Sequence, residues 1–105
     1  MRMNPEVKKM WTEALRSGKY KQGRGYLYSE GKYCCLGVLR EIAPKEMRKS
    51  PGVRRGALSR KVMNWAGLSE ADPIIMIRGF KKASEANDCL KLSFDEIADL
   101  IENNL

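Results

Sequence analysis

Between Lys32 and Ala43 the apolar pattern changes period with no loop to absorb the change. Tyr26-Leu27-Tyr28, a Ser29-Glu30-Gly31 turn and Lys32-Tyr33-Cys34 read as a β-hairpin with aromatic arms. From Leu36 the spacing becomes Leu36, Leu39, Ile42, Ala43, which is helical, and Pro44 limits its extension. A strand that runs straight into a buried helix calls for a sheet layer and a helix layer around one core, which is the α+β class. Gly37, costly inside a helix, is expected to permit a close approach there.

The remaining helices announce themselves by their ends. Asn4-Pro5 supplies an N-cap and a first-turn proline, and Val7, Met10, Trp11, Ala14 and Leu15 follow at helical spacing until Gly18. This leaves Thr12 on the polar side and Trp11 as a core anchor. Leu58, Val62, Met63 and Trp65 predict a short helix capped by Ser59 and ended near Gly67, and Phe80 to Asn87 predicts another. The last helix is the clearest. Ser93 with Glu96 forms a capping box, Leu92 and Ile97 a hydrophobic staple, and Phe94, Ile97, Ala98, Ile101 and Leu105 one buried face. Ile74 to Ile77, between Pro73 and Gly79, predicts a buried strand added to the hairpin sheet. The expected fold is a small single domain, residues 1–105, in which a β-hairpin or three-stranded sheet packs against several helices. Trp11, Leu36, Leu39, Ile75, Phe94 and Ile97 are expected to share its core, and residues 45–60 to form a basic, mobile connector.

Composition limits the chemistry. The chain of 105 residues has room for one core and no second domain. It contains no His, which removes Ser/His and Cys/His nucleophile pairs, His-ligated zinc and an imidazole acid or base. Of three cysteines, Cys34 and Cys35 are adjacent and Cys89 is distant, so reduced, mostly buried thiols are expected and no structural disulfide. Asp88, Asp95, Asp99 and Glu102 could be offered as a Mg²⁺ site, but the last three sit at helical spacing after a capping box and read as a solvated acidic face. The expectation is therefore no enzyme, no cofactor and no metal. No apolar run reaches the roughly 18 residues of a membrane span, and the first residues lack a signal peptide's apolar stretch, so a cytoplasmic protein without membrane contact is expected.

Charge is unevenly divided. Residues 1–64 hold 16 basic and 5 acidic side chains, a balance of +11, whereas residues 65–105 hold 4 and 8, a balance of −4. The basic part suits an anionic partner unless the acidic C-terminal helix neutralises it within the fold. Two segments concentrate it. Lys19, Tyr20, Lys21, Gln22, Gly23, Arg24 and Gly25 combine cations, an amide, an aromatic ring and glycines, as a phosphate-binding loop requires, without a Walker or dinucleotide fingerprint. Arg48, Lys49, Arg54, Arg55 and Arg60 in the connector could contact a nucleic-acid backbone.

Residues 11–25, WTEALRSGKYKQGRG, then Tyr33-Cys34-Cys35-Leu36-Gly37-Val38-Leu39, Trp65-Ala66-Gly67-Leu68, Asn87-Asp88 and residues 93–102, SFDEIADLIE, resemble a family of short proteins encoded in bacteriophages and prophages. The resemblance spans nearly the whole chain. It departs in the connector, shorter and more basic here, and at Asp72, where relatives tend to have Asn. It implies a phage accessory gene and brings no assigned site residues.

Three functional classes follow. The first is a non-enzymatic inhibitor of a bacterial antiviral system that sequesters a nucleotide signal. In it Lys19, Lys21 and Arg24 neutralise phosphates, and Tyr20 or Tyr26 stacks on a base. The second is a nucleic-acid-binding phage regulator, and the third an inhibitor that covers a host defence protein. A homo-oligomer is compatible with each.

Overall fold

The computed structural model describes residues 3–47, 58–76, 79 and 81–105. Helix α1 spans Pro5–Arg16. The Asn4 side-chain oxygen accepts from the N–H groups of Glu6 at 2.9 Å and Val7 at 3.4 Å, satisfying donors that the first helical turn cannot use. Its inward face is Val7, Trp11, Thr12 and Leu15. Two expectations change places here. Met10 is 46% exposed, whereas Thr12 is buried, its hydroxyl bonded to the carbonyls of Lys8 at 3.0 Å and Lys9 at 3.1 Å. That internal bond lets a threonine occupy an apolar interface.

Three two-residue strands follow: β1 (Lys21–Gln22), β2 (Tyr28–Ser29) and β3 (Lys32–Tyr33), in the order β1-β3-β2. β2 and β3 form the expected hairpin around Glu30 and Gly31. β1 pairs with β3 in parallel, so part of the expected Lys19–Gly25 loop is a strand. Register aligns Lys21, Lys32 and Ser29 across the sheet, and Gln22, Tyr33 and Tyr28 beside them. Adjacent rows face opposite sides. The tyrosine row packs ring on ring: Tyr33 lies 5.2 Å from Tyr20, edge to face, and 4.9 Å from Tyr28.

β3 runs through Cys34 directly into α2 (Cys35–Ile42), as the change of period requires. Cys34 caps it, its sulfur accepting from the Gly37 N–H at 3.4 Å. Gly37 has a steric reason to be glycine. A Cβ there would stand 1.7 Å from the Leu27 carbonyl oxygen, so α2 lies directly against the backbone leading into β2.

A 3₁₀ turn covers Lys45–Met47, and α3 (Arg60–Ala66) opens on a Ser59 cap and closes on Gly67 in the left-handed conformation. β4 (Ile74–Met76) pairs with β5 (Lys81–Lys82) in a separate antiparallel sheet. The expected addition of this strand to the hairpin sheet is thus corrected for Ile74–Met76, Ile77 lying outside the described residues, because Lys81–Lys82, a pair with no apolar signal, is the partner. Of the helix expected over Phe80 to Asn87, Phe80 lies outside the described residues, Lys81–Lys82 are strand, and α4 spans Ala83–Asp88. Asp72 caps it from outside, taking the Ser84 N–H at 2.9 Å and the Ser84 hydroxyl. α5 (Phe94–Asn104) carries the expected capping box of Ser93 and Glu96.

α1 packs mainly on α5 and α2, α2 on α4, and β4 on α5. At the junction Trp11 is fully buried and its indole N–H donates to the Cys35 carbonyl at 2.9 Å, which satisfies the one polar atom that burial would orphan. Leu36, Leu39, Ile75 and Ile97 join it at 0% exposure, and Phe94 at 8%, so the expected core residues share one cluster. Each such side chain contributes about 1.5–3 kcal/mol on burial. The architecture is α+β, with five α-helices around two small sheets among the described residues, in one domain. Among the described residues, no helix is long and apolar enough to cross a membrane.

Candidate anion-binding pocket

Between the end of β1 and the β2–β3 hairpin lies a pocket of about 310 Å³, lined by Gln22, Gly23, Arg24, Tyr26, Ser29, Glu30 and Lys32. This is near the lower bound of ordinary small-molecule sites, about 300 Å³. Its lining includes two cationic residues, Arg24 and Lys32, with Ser29, Glu30 and Tyr26, a residue 40% exposed. Guanidinium and ammonium groups across one small cavity suit an anion, and an accessible phenol ring suits a flat group stacked on it.

The floor is rigid for a readable reason. Gln22 turns its side chain away from solvent, donating to the Asn87 side-chain oxygen at 2.9 Å and the Leu92 carbonyl at 2.7 Å. Asn87, fully buried, donates in return to the Gly23 carbonyl at 2.8 Å and to Asp88 at 2.7 Å. Gly23 also donates to the Tyr33 carbonyl at 2.7 Å, and a Cβ on it would stand 2.7 Å from the Lys32 Cβ. Only glycine lets the segment after β1 lie this close to β3. Gly25, at φ 85°, then turns the chain toward Tyr26.

A family model described as a domain of unknown function (DUF8296) matches residues 3–105. The chain belongs to this family. Comparison with curated proteins and with solved structures returns no match.

In this DUF8296 chain the residues expected to bind an anion separate into two groups. Arg24, Gln22 and Gly23 line the pocket, Gln22 and Gly23 being held by internal hydrogen bonds. Lys19, Tyr20, Lys21 and Gly25 do not line it. Lys19 stands 6.0 Å from the centre of the Tyr20 ring, and Tyr20 packs on Tyr33; of the two rings considered for stacking, that of Tyr26 belongs to a residue that lines the pocket. Ser29, Glu30 and Lys32 also line it, although they lie outside the Lys19–Gly25 segment that the sequence singles out. Lys32 enters through its parallel pairing with Lys21, which two-residue strands do not disclose in sequence.

The second basic segment is not brought to this site. Arg48, Lys49, Arg54 and Arg55 lie outside the described residues, and Arg60 is exposed at the start of α3. The acidic face of α5 is solvated as expected, and it also meets Arg16, which forks onto Asp99, at 2.5 Å, and Glu102. Those carboxylates raise the Arg16 pKa. Part of the acidic helix is thus matched inside the fold, and these carboxylates meet a guanidinium rather than solvent alone.

The thiols also differ from one another. Cys34 and Cys35 are buried, and burial pushes the Cys34 thiol up to about 11 and Cys35 well above its ordinary range. Cys35 donates to the Ala83 carbonyl at 3.4 Å. Two of the three thiols are thus buried, in line with the mostly buried thiols expected, and Cys89 is exposed just past α4.

Proposed function

We propose that this chain is a small binding protein, not an enzyme, that holds a nucleotide in the pocket beside the β2–β3 hairpin. The observation that carries the reading is the placement of Arg24 and Lys32 on one cavity of about 310 Å³ with the exposed Tyr26 ring. Arg24 and Lys32 take the phosphate, Tyr26 stacks on the base, and Ser29 offers a hydroxyl to the sugar. The resemblance to short phage and prophage proteins extends the proposal: sequestering a nucleotide signal would inhibit a bacterial antiviral system from the host cytoplasm. No bond to the ligand is made or broken in this scheme; affinity and copy number do the work.

The test is nucleotide binding by the purified protein, with Arg24→Ala and Lys32→Ala as controls. Removing one cation should weaken binding by about tenfold or more, as loss of a charge-assisted hydrogen bond predicts. A wild-type protein that binds no nucleotide contradicts the proposal. Affinity for duplex DNA that falls steeply with salt would instead support the nucleic-acid reading.

A further inference from the structure

Glu30 occupies an unusual place in the pocket. It is the first residue of the two-residue turn joining β2 to β3, with φ 51°, and Gly31 follows at φ 80°. Two successive positive φ values are the signature of the tight hairpin turn that favours Asn, Asp or Gly at its first position. A glutamate there is conformationally strained, since its side chain meets the backbone in the left-handed region. The fold alone would be better served by a smaller residue.

Glu30 lines the same cavity as Arg24 and Lys32, and all three residues are exposed. Among the described residues, it closes no ion pair with either cation. The residues that line this small volume therefore include two cations and one carboxylate, a balance of a single positive charge. Lys21, the register partner of Lys32, does not line it. A ligand that fits this arrangement carries one negative charge toward Arg24 and Lys32 and presents an N–H or O–H group to the carboxylate. A polyphosphate brings more negative charge than the cations balance and sets it against Glu30.

We infer that Glu30 selects the ligand: the pocket takes a singly charged phosphodiester nucleotide with a hydrogen-bond donor, and Glu30 turns away nucleoside polyphosphates. The inference rests on the pocket reading above and deepens it. Phosphomonoesters, at about −1.5 to −2 charge near neutral pH, should fall between the two classes. Discrimination comes from repulsion as much as attraction, because the carboxylate penalises a second phosphate.

The experiment is calorimetric titration of the wild type, Glu30→Gln and Glu30→Gly with the cyclic monophosphates and the triphosphates of the four ribonucleosides. For at least one base, the wild type is expected to prefer the cyclic monophosphate by about tenfold or more. Glu30→Gln keeps the size and removes the charge, so the preference should collapse as triphosphate binding tightens. Glu30→Gly suits the turn backbone, which makes it a folded second variant, and it should also lose the preference while its thermal midpoint rises. If either variant binds with the wild-type preference unchanged, the inference is overturned and the pocket reading stands. If the wild type binds none of the eight nucleotides, the pocket reading fails and the inference fails with it.

Discussion

The Gln22 amide donates to the Asn87 side-chain oxygen at 2.9 Å across 65 residues of sequence, and Asn87 answers by donating to the Gly23 carbonyl at 2.8 Å. Two amides thereby clamp the floor of the candidate pocket to α4. The clamp uses each amide for several bonds in a place where Asn87 has no access to water, so a partner lost there is not replaced. A pocket floor held this way is set before any ligand arrives, which reduces the ordering cost of binding.

Asn87→Asp tests the clamp. The substitution keeps the oxygen that receives Gln22 but turns the donor facing the Gly23 carbonyl and Asp88 into an acceptor. A buried charge facing two acceptors should cost about 3–5 kcal/mol in urea denaturation. Gln22→Ala leaves Asn87 with one unanswered acceptor and should cost about 1–3 kcal/mol.

Gly37→Ala should be among the most damaging single-methyl changes in the chain. Its Cβ would fall 1.7 Å from the Leu27 carbonyl oxygen, a backbone atom that cannot step aside without shifting the hairpin against α2. The expected loss is about 3 kcal/mol or more, read by thermal or chemical unfolding, with failure to fold at the upper end.

Much of the fold was readable because helix ends are local events. Asn4-Pro5, Ser59, Gly67 and the Ser93–Glu96 box each act within one turn, and each stands where the sequence placed it. The strand partners were not readable. Two-residue strands carry no period, so neither the parallel pairing of Lys21 with Lys32 nor Lys81–Lys82 as the partner of β4 leaves a trace in one sequence. Met10 and Thr12 illustrate a second limit: both adjoin Trp11, and only packing against α2 and α5 decides which one turns inward. At the site, Arg24 was visible as a cation between glycines, whereas Glu30 and Lys32 became pocket residues only when the hairpin folded beside β1.

The three thiols should separate by reactivity. In the native protein Cys89 alone is exposed, so a thiol reagent should modify one cysteine quickly, and Cys34 and Cys35 only upon unfolding. Rapid labelling of all three under native conditions would show that the α2 junction opens readily.

Those buried thiols also give stability a dependence on alkaline pH. Cys34 titrates at about 11 when folded against an ordinary 9.0, and Cys35 is raised as well. The folded state therefore holds protons that the unfolded chain releases. Their contribution is fully present below about pH 9 and is lost as the pH climbs through 11. Cys34→Ala should flatten that part of a stability profile relative to the wild type.

Arg16→Ala should matter little. Its guanidinium and both carboxylates are substantially exposed, so solvent screens the fork onto Asp99 and Glu102. The thermal midpoint should fall slightly at low salt, and the difference should shrink as salt is added. A large loss that persists in high salt would mean that this fork docks α1 on α5.

Whether the pocket beside the hairpin holds a nucleotide is read out by native mass spectrometry. The wild type and an Arg24→Ala/Lys32→Ala variant would be purified from a bacterial host, each weighed before and after a high-salt wash and again after denaturation. A small mass of nucleotide size is expected, bound in fixed stoichiometry to the wild type and absent from the folded double variant. A wild-type protein that carries no such mass and gains none when nucleotides are added would contradict the proposed function, as would a double variant that carries the same mass in the same proportion.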